Sequence, residues 1–158
     1  MEGKKVSESA IELVQQMTPQ DANLAGNIHG GVIMKLIDNT ASIVAARHTA
    51  GNVVTASIDR LDFLSPGYAG DLLRIKASLN YVGNTSMEVG VKVEAENFLT
   101  GEIRHVAFAY LTFVSLDNEF KPKMVPPLIC ETDEDKRRNN DARERLKWRK
   151  LAIKNSCE

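Results

Sequence analysis

The sequence predicts an α+β fold in which an antiparallel β-sheet wraps one long, buried helix, with a second helix near the C-terminus. Three observations carry that expectation. A run from Gly30 to His48 spaces its apolar residues as a helix does, four later segments read as strands, and short turns separate most of those segments.

In chain order, residues 6 to 17 (VSESAIELVQQM) mix alternation with helical spacing, and we read them as a strand. From Gly30 to His48, Val32, Ile33, Leu36, Ile37, Ala41, Val44 and Ala45 form an apolar stripe that Ile43 and Ala46 widen. Gly51 follows as a stop signal. VVTASIDRLDFL, before the turn Ser65-Pro66-Gly67, is a strand. DLLRIKASLNYV and TSMEVGVKVEAENF alternate strictly around Gly83-Asn84, so they form a hairpin. After Thr100-Gly101, EIRHVAFAYLTFVSLD is apolar on both faces toward its end, as a covered central strand would be.

Residues 117 to 131 carry Pro122, Pro126 and Pro127 and end the sheet, which suggests a main domain over 1–127 and a helical extension over 128–158. Thr132 with Asp135 makes a capping box for the terminal helix. Acids fill its first turn and bases its later turns, and Ala142, Leu146 and Ile153 are its only apolar stripe, with Arg149 between.

The 158 residues are 43% hydrophobic and 26% charged, which suits one globular domain. Twenty lysines and arginines nearly cancel 21 acids, so bulk charge makes no case for nucleic acid or an anionic membrane as partner. There is neither a signal-peptide pattern nor a stretch approaching the roughly 20 apolar residues of a membrane span, and the expected location is cytoplasmic. Cys130 and Cys157 lack metal-ligand spacing and read as incidental thiols.

The chain carries no phosphate-cradling glycine loop, no G-x-S-x-G and no H-E-x-x-H. Asp38 and His48 lie ten residues apart on one helix. At about 1.5 Å per residue that is too far for one ion, and we assign no metal. What remains is DANLAGNIHGGVIMKLID. Asp38 sits mid-helix, where an acid gains little from capping and burial of its charge is expensive. The pattern alone is equally compatible with Asp38 facing solvent among Lys35, Asn39 and Ser42. Gly30-Gly31 opens the helix with unobstructed N–H groups that can hold a carbonyl oxygen turning negative, or simply makes a turn.

The same stretch, followed by VVTASIDRLDFLSPGYAGD and YVGNTSMEVGVKVEAEN, resembles the hotdog-fold acyl-CoA thioesterases, in the group of bacterial short- and medium-chain acyl-CoA hydrolases and brain acyl-CoA hydrolase. The likeness spans about residues 6 to 127, and N-x-x-G-N-x-H-G-G-x-x-M-x-x-x-D is its most specific part. It implies a long helix wrapped by a curved antiparallel sheet, an acyl-CoA thioester substrate, and an active site at a homodimer interface. It gives Asp38 the role of general base or nucleophile and Asn23 that of second catalytic residue. Three such dimers commonly stack into a hexamer in that family.

A distance points the same way. Gly31 and Asp38 are seven residues apart, about 10 Å along a helix, so one thioester is poorly placed to use both from one chain. An antiparallel partner would bring its own Asp38 to Asn23, Gly30 and Gly31. The expected chemistry is water activated by Asp38, or attack by its carboxylate, with coenzyme A leaving as part of the product and no separate cofactor. His29 is expected to bond to backbone.

By resemblance, Gly83, Asn84, Thr85 and Ser86 lie along the coenzyme A path. Arg60 and Arg104 are candidates for its phosphates. So are Arg143, Arg145, Lys147 and Arg149, although a solvated face balanced by Glu131, Asp133, Glu134 and Asp135 explains that cluster better. The competing readings are a hotdog module that binds acyl-CoA without turnover, and a hydratase acting on acyl-thioesters. The pair Asn23 and Asp38 argues against the first. The absence of a histidine-centred pair in the motif argues against the second.

Overall fold

The computed structural model describes residues 1–156; Cys157 lies outside them. The elements in order are β1 (Lys4–Lys5), α1 (Val6–Ser9), β2 (Ile11–Gln16), α2 (Gly30–Thr49), β3 (Asn52–Phe63), β4 (Leu72–Val82), β5 (Ser86–Asn97), β6 (Glu102–Leu116), β7 (Leu128–Ile129) and α3 (Asp133–Ser156). Five strands form one antiparallel sheet in the order β2-β4-β5-β6-β3, which leaves β2 and β3 as its edges.

Helix α2 buries Ile33, Ile37, Thr40, Ala41, Val44, Ala45 and His48 against one face of that sheet. Their three- and four-residue spacing is the stripe expected of a core-facing helix. The sheet answers with Leu73, Ile75, Ala77, Leu79, Met87, Val89, Val91, Val93, Ala107, Ala109, Leu111 and Phe113, alternate residues of three strands and all buried. Ile43 is 40% exposed, so it does not widen the buried stripe as expected. Ala50 takes the left-handed conformation that ends α2, one residue before Gly51.

Residues 6 to 17 are not one strand. The Lys5 amide donates to the Glu8 carboxylate at 2.6 Å, and Val6 and Ser9, three apart, are buried together, so α1 turns once before β2 begins. β7 pairs in parallel with β1, tying the start of the C-terminal extension to the N-terminus.

The Thr132–Asp135 capping box forms as expected, with the Asp135 amide donating to Thr132 Oγ1 at 3.0 Å. Helix α3 then lies across the polar face of the sheet, held by charge rather than by apolar contact. Ala142 is its buried residue, while Ile153 is 50% exposed. Arg138 donates to Ser78 Oγ, Asn139 to the Asn80 carbonyl, and Arg145 to Glu88 at 2.6 Å while lying 3.7 Å over the Tyr110 ring. Arg149 pairs with Asp59 at 3.0 Å. The basic cluster is therefore only partly a solvated face. Arg145 and Arg149 turn inward because the sheet presents two carboxylates that would otherwise sit under the helix without counter-charge. Among the described residues no helix is long and apolar enough to cross a membrane.

Candidate active site

The segment before α2 is a loop built to hold its own backbone. Asn23 Oδ1 accepts from the amides of Ala25 at 3.0 Å and Asn27 at 3.2 Å, while the Asn23 amide donates to the Asn27 carbonyl at 2.8 Å. Gly26 closes that turn at φ +89, a conformation that favours glycine. The side-chain oxygen of Asn23 is thus committed, and the residue is exposed, its amide hydrogens not taken up by any described residue. The His29 amide donates to the Asp21 carbonyl, which aims the chain into α2, but the exposed His29 ring makes no hydrogen bond among the described residues.

At the helix start, Val32 and Ile33 are the first amides to bond inward, both to the His29 carbonyl. The amides of Gly30 and Gly31 precede them and have no intrahelical acceptor. A side chain at Gly31 would meet nothing within 4 Å, whereas one at Gly30 would touch the Phe63 ring at 3.5 Å. Gly31 is exposed and offers a donor at the positive end of the helix dipole.

Asp38 lies two turns on, half-buried rather than facing open water. Its Oδ1 accepts a hydrogen bond from Thr55 Oγ1 at 2.7 Å. Thr55 stands opposite Phe113 on β6, and Phe113 stands opposite Met87 on β5, both buried on the α2 face, so the register points Thr55 at the helix. The sequence reading missed Thr55. Its signal was a hydroxyl residue in phase with the inward positions of β3.

The same register places Gly83, Asn84, Thr85 and Ser86 at the Asp38 end of the sheet. Met87, just after that turn, is two strands from Thr55, about 10 Å at the usual strand spacing. The turn is locked by Gly83 N–H to the Ser86 carbonyl and by the Ser115 amide to the Thr85 carbonyl.

Arg104 is at the opposite end. It pairs with the buried Asp71 at 2.7 Å, and its guanidinium lies 5.2 Å over the Tyr68 ring. Asp71 also accepts from the Tyr68 amide, while the Ile28 amide donates to the Gly67 carbonyl. Arg104 therefore braces the loop on which Asn23 and Gly30 rest. Arg60, on edge strand β3, pairs with Asp62 at 2.8 Å and lies 5.3 Å over Phe108. Among the described residues no cluster of His, Cys, Asp or Glu could hold a metal.

The candidate residues thus fall into two groups along α2. Asn23, Gly30 and Gly31 with the Arg104 brace lie at the start of α2. Asp38, Thr55 and the turn from Gly83 to Ser86 lie farther along it, with about 10 Å of helix between Gly31 and Asp38.

Comparison with known proteins places the chain. The family model of the Thioesterase superfamily matches residues 25–100. The chain is 41% identical over 143 residues to an uncharacterized acyl-CoA thioester hydrolase of Bacillus subtilis, covering 90% of this chain and 83% of that protein. It is 39% identical over 146 residues to the mouse cytosolic acyl coenzyme A thioester hydrolase, covering 91% of this chain but only 38% of the longer mouse protein. The acyl-CoA hydrolase of Staphylococcus aureus, solved with butyryl coenzyme A, coenzyme A and coenzyme A disulfide, matches at TM-score 0.91 and 40% identity over 97% of this chain and 93% of that one. That enzyme has also been solved with an aspartate, an asparagine or a threonine replaced by alanine. A hexameric acyl-CoA thioesterase matches at TM-score 0.94 and 37% identity over 97% of this chain and 98% of that one. By its fold, and by its likeness to relatives over nearly its whole length, the chain belongs to the acyl-CoA thioester hydrolases of the thioesterase superfamily.

Proposed function

We propose that the protein hydrolyses acyl-CoA to free acid and coenzyme A in a site completed by two subunits. Asp38 Oδ2, left free while Thr55 holds Oδ1, takes a proton from water. That water attacks the thioester carbon, the Gly31 amide of the partner holds the developing oxyanion, and the amide of the partner's Asn23 orients the carbonyl or the water. The carbon–sulfur bond breaks and coenzyme A leaves as thiolate. Attack by Asp38 itself, through a transient anhydride, uses the same groups. Coenzyme A is part of substrate and product rather than a cofactor, and water is the other reactant.

The observation that carries this reading is the Thr55–Asp38 hydrogen bond at 2.7 Å, which orients a half-buried carboxylate that has no cationic partner among the described residues. Support comes from the Staphylococcus aureus enzyme, whose asparagine, aspartate and threonine variants fall at sequence separations of 15 and 17, as do Asn23, Asp38 and Thr55. Edge strand β3 supports the shared site. Among the described residues its pairing partner is β6, and Val54 and Ile58 are exposed along it, which suits antiparallel pairing with a second copy. A homodimer is then the minimal active unit. The hexameric relative supports three such dimers, and the cytosolic mouse relative supports a cytoplasmic setting.

The test is release of free thiol from acyl-CoAs of graded chain length by the wild type and by Asp38→Ala and Asn23→Ala. Turnover by the wild type and its loss in Asp38→Ala are expected. Tight binding without turnover would leave the binding module, and hydration of an enoyl thioester would leave the hydratase.

A further inference from the structure

We propose that the turn from Asp117 to Lys121, together with Lys123, is the subsite for the adenosine phosphate end of coenzyme A. In it, Phe120 stacks on the adenine, and Lys121 and Lys123 take the phosphates. The proposal rests on the thioesterase reading above and extends it to residues that reading does not use.

Phe120 is held at φ +61 and is 75% exposed. A bulky side chain rarely adopts that conformation, and glycine would take it without strain. Asp117 enforces the turn. Its Oδ1 accepts from the amides of Glu119 at 2.8 Å and Lys121 at 3.0 Å, and its own amide donates to the Lys121 carbonyl at 2.8 Å. The ring is thus held out into solvent by backbone bonds instead of being drawn into the core. Strain of this kind persists where surrounding bonds over-determine it, and it concentrates at binding sites.

The turn lies at the Asp38 end of the fold. After it the chain doubles back: Pro122 bridges to Leu116, the Lys123 amide donates to the Ser115 carbonyl, and the Val125 amide donates to the Asn84 carbonyl. Ser115 in turn donates to Thr85 and stands opposite Val53, two residues from Thr55. The segment carrying Lys123 therefore runs beside the Gly83–Ser86 turn, and Phe120 and Lys121 precede it in the chain at the same end of the sheet as Thr55.

The charges fit a phosphate ligand. Lys123 forms no ion pair among the described residues. Lys121 reaches only Glu119, at 3.6 Å with both side chains more than 70% exposed, and solvent keeps such a pair weak. Arg104, by contrast, stands at the far end and is committed to Asp71. A purine needs only an exposed aromatic face to stack on, and multiply charged phosphates need cations that are free to turn toward them.

The experiment compares acyl-CoA with the matching acyl-pantetheine, which lacks the nucleotide, in the full-length protein. The variants are Phe120→Gly, which suits the left-handed position and so preserves the turn, and the double variant Lys121→Gln, Lys123→Gln. Phe120→Gly should raise KM for acyl-CoA about tenfold. The lysine pair should raise it too and flatten its salt dependence. For both, kcat and the acyl-pantetheine constants should stay at wild-type values. An unchanged acyl-CoA KM in both variants, or an equal loss on both substrates, overturns the subsite. ADP altering kcat without competing against acyl-CoA would make it an effector site instead, which also overturns it. Calorimetric titration of coenzyme A alone repeats the comparison without turnover. Binding that weakens in the variants of a protein that hydrolyses neither thioester would defeat the proposed function and leave the subsite standing.

Discussion

Thr55 Oγ1 donates to Asp38 Oδ1 across 2.7 Å, joining edge strand β3 to the middle of α2. The bond fixes which carboxylate oxygen can face water. Removal of a general base costs about 10²- to 10⁴-fold, so Asp38→Ala should lose that much in kcat. Thr55→Val keeps the shape and removes one hydrogen bond worth about 1 kcal/mol, which predicts a loss of roughly fivefold. Steady-state kinetics on one acyl-CoA checks both, and a Thr55→Val enzyme as impaired as Asp38→Ala would give the threonine a larger part than orientation.

The proposed site takes Asn23 from one subunit and Asp38 from the other, so on that proposal two variants that each lose activity should rescue each other. Asn23→Ala and Asp38→Ala chains, co-expressed in equal amounts, form heterodimers in about half of cases by random pairing. Each heterodimer carries one intact site and one doubly impaired site. About a quarter of wild-type activity is expected in the mixture, and no recovery would mean that each site takes both residues from a single chain.

Arg104, paired with Asp71 and lying over Tyr68, contributes to the frame. Arg104→Leu removes the partner of Asp71, whose side chain is 8% exposed, and a buried carboxylate stripped of its counter-ion costs about 3 kcal/mol or more. A lower denaturation midpoint by chemical unfolding should accompany the substitution. Arg104→Leu, Asp71→Leu should recover much of the loss, since it removes both charges.

His48 makes stability depend on pH. Burial pushes its imidazole below the ordinary 6.5, outweighing the hydrogen bond to the Pro126 carbonyl that favours the charged ring. Nε2 lies 2.7 Å from that carbonyl and Nδ1 is buried without a partner, which suits the neutral ring with its proton on Nε2. The unfolded chain takes up a proton near 6.5 while the folded chain resists until lower pH. The stabilisation is therefore complete above 6.5 and is lost as pH falls through the folded value. Denaturation midpoints at pH 7.5 and 5.5 should fall further apart in the wild type than in His48→Gln, whose amide can keep the bond to Pro126.

Much of this architecture is legible in the chain because periodicity is a local property. The stripe from Ile33 to Ala45 and the alternation through Leu73–Leu79 and Met87–Ala95 record one-sided burial, and they mark α2, β4 and β5 with little ambiguity. The segment from Val6 to Met17 was misread because one turn of helix and a short strand are both too brief to establish a period. Ile43 was misassigned because an apolar residue can sit at a surface that a partner would cover.

What the sequence by itself determined is therefore the helix, the hairpins and the presence of Asn23, Gly30, Gly31 and Asp38 in one short stretch. Only the tertiary structure decided what surrounds each of them. Thr55 reaches Asp38 because β3 returns alongside α2, and Arg104 and Arg145 find Asp71 and Glu88 at sequence separations of 33 and 57. Contacts across such distances are set by strand order and register, and those emerge from the packing of the whole sheet on α2 rather than from any window of neighbouring residues.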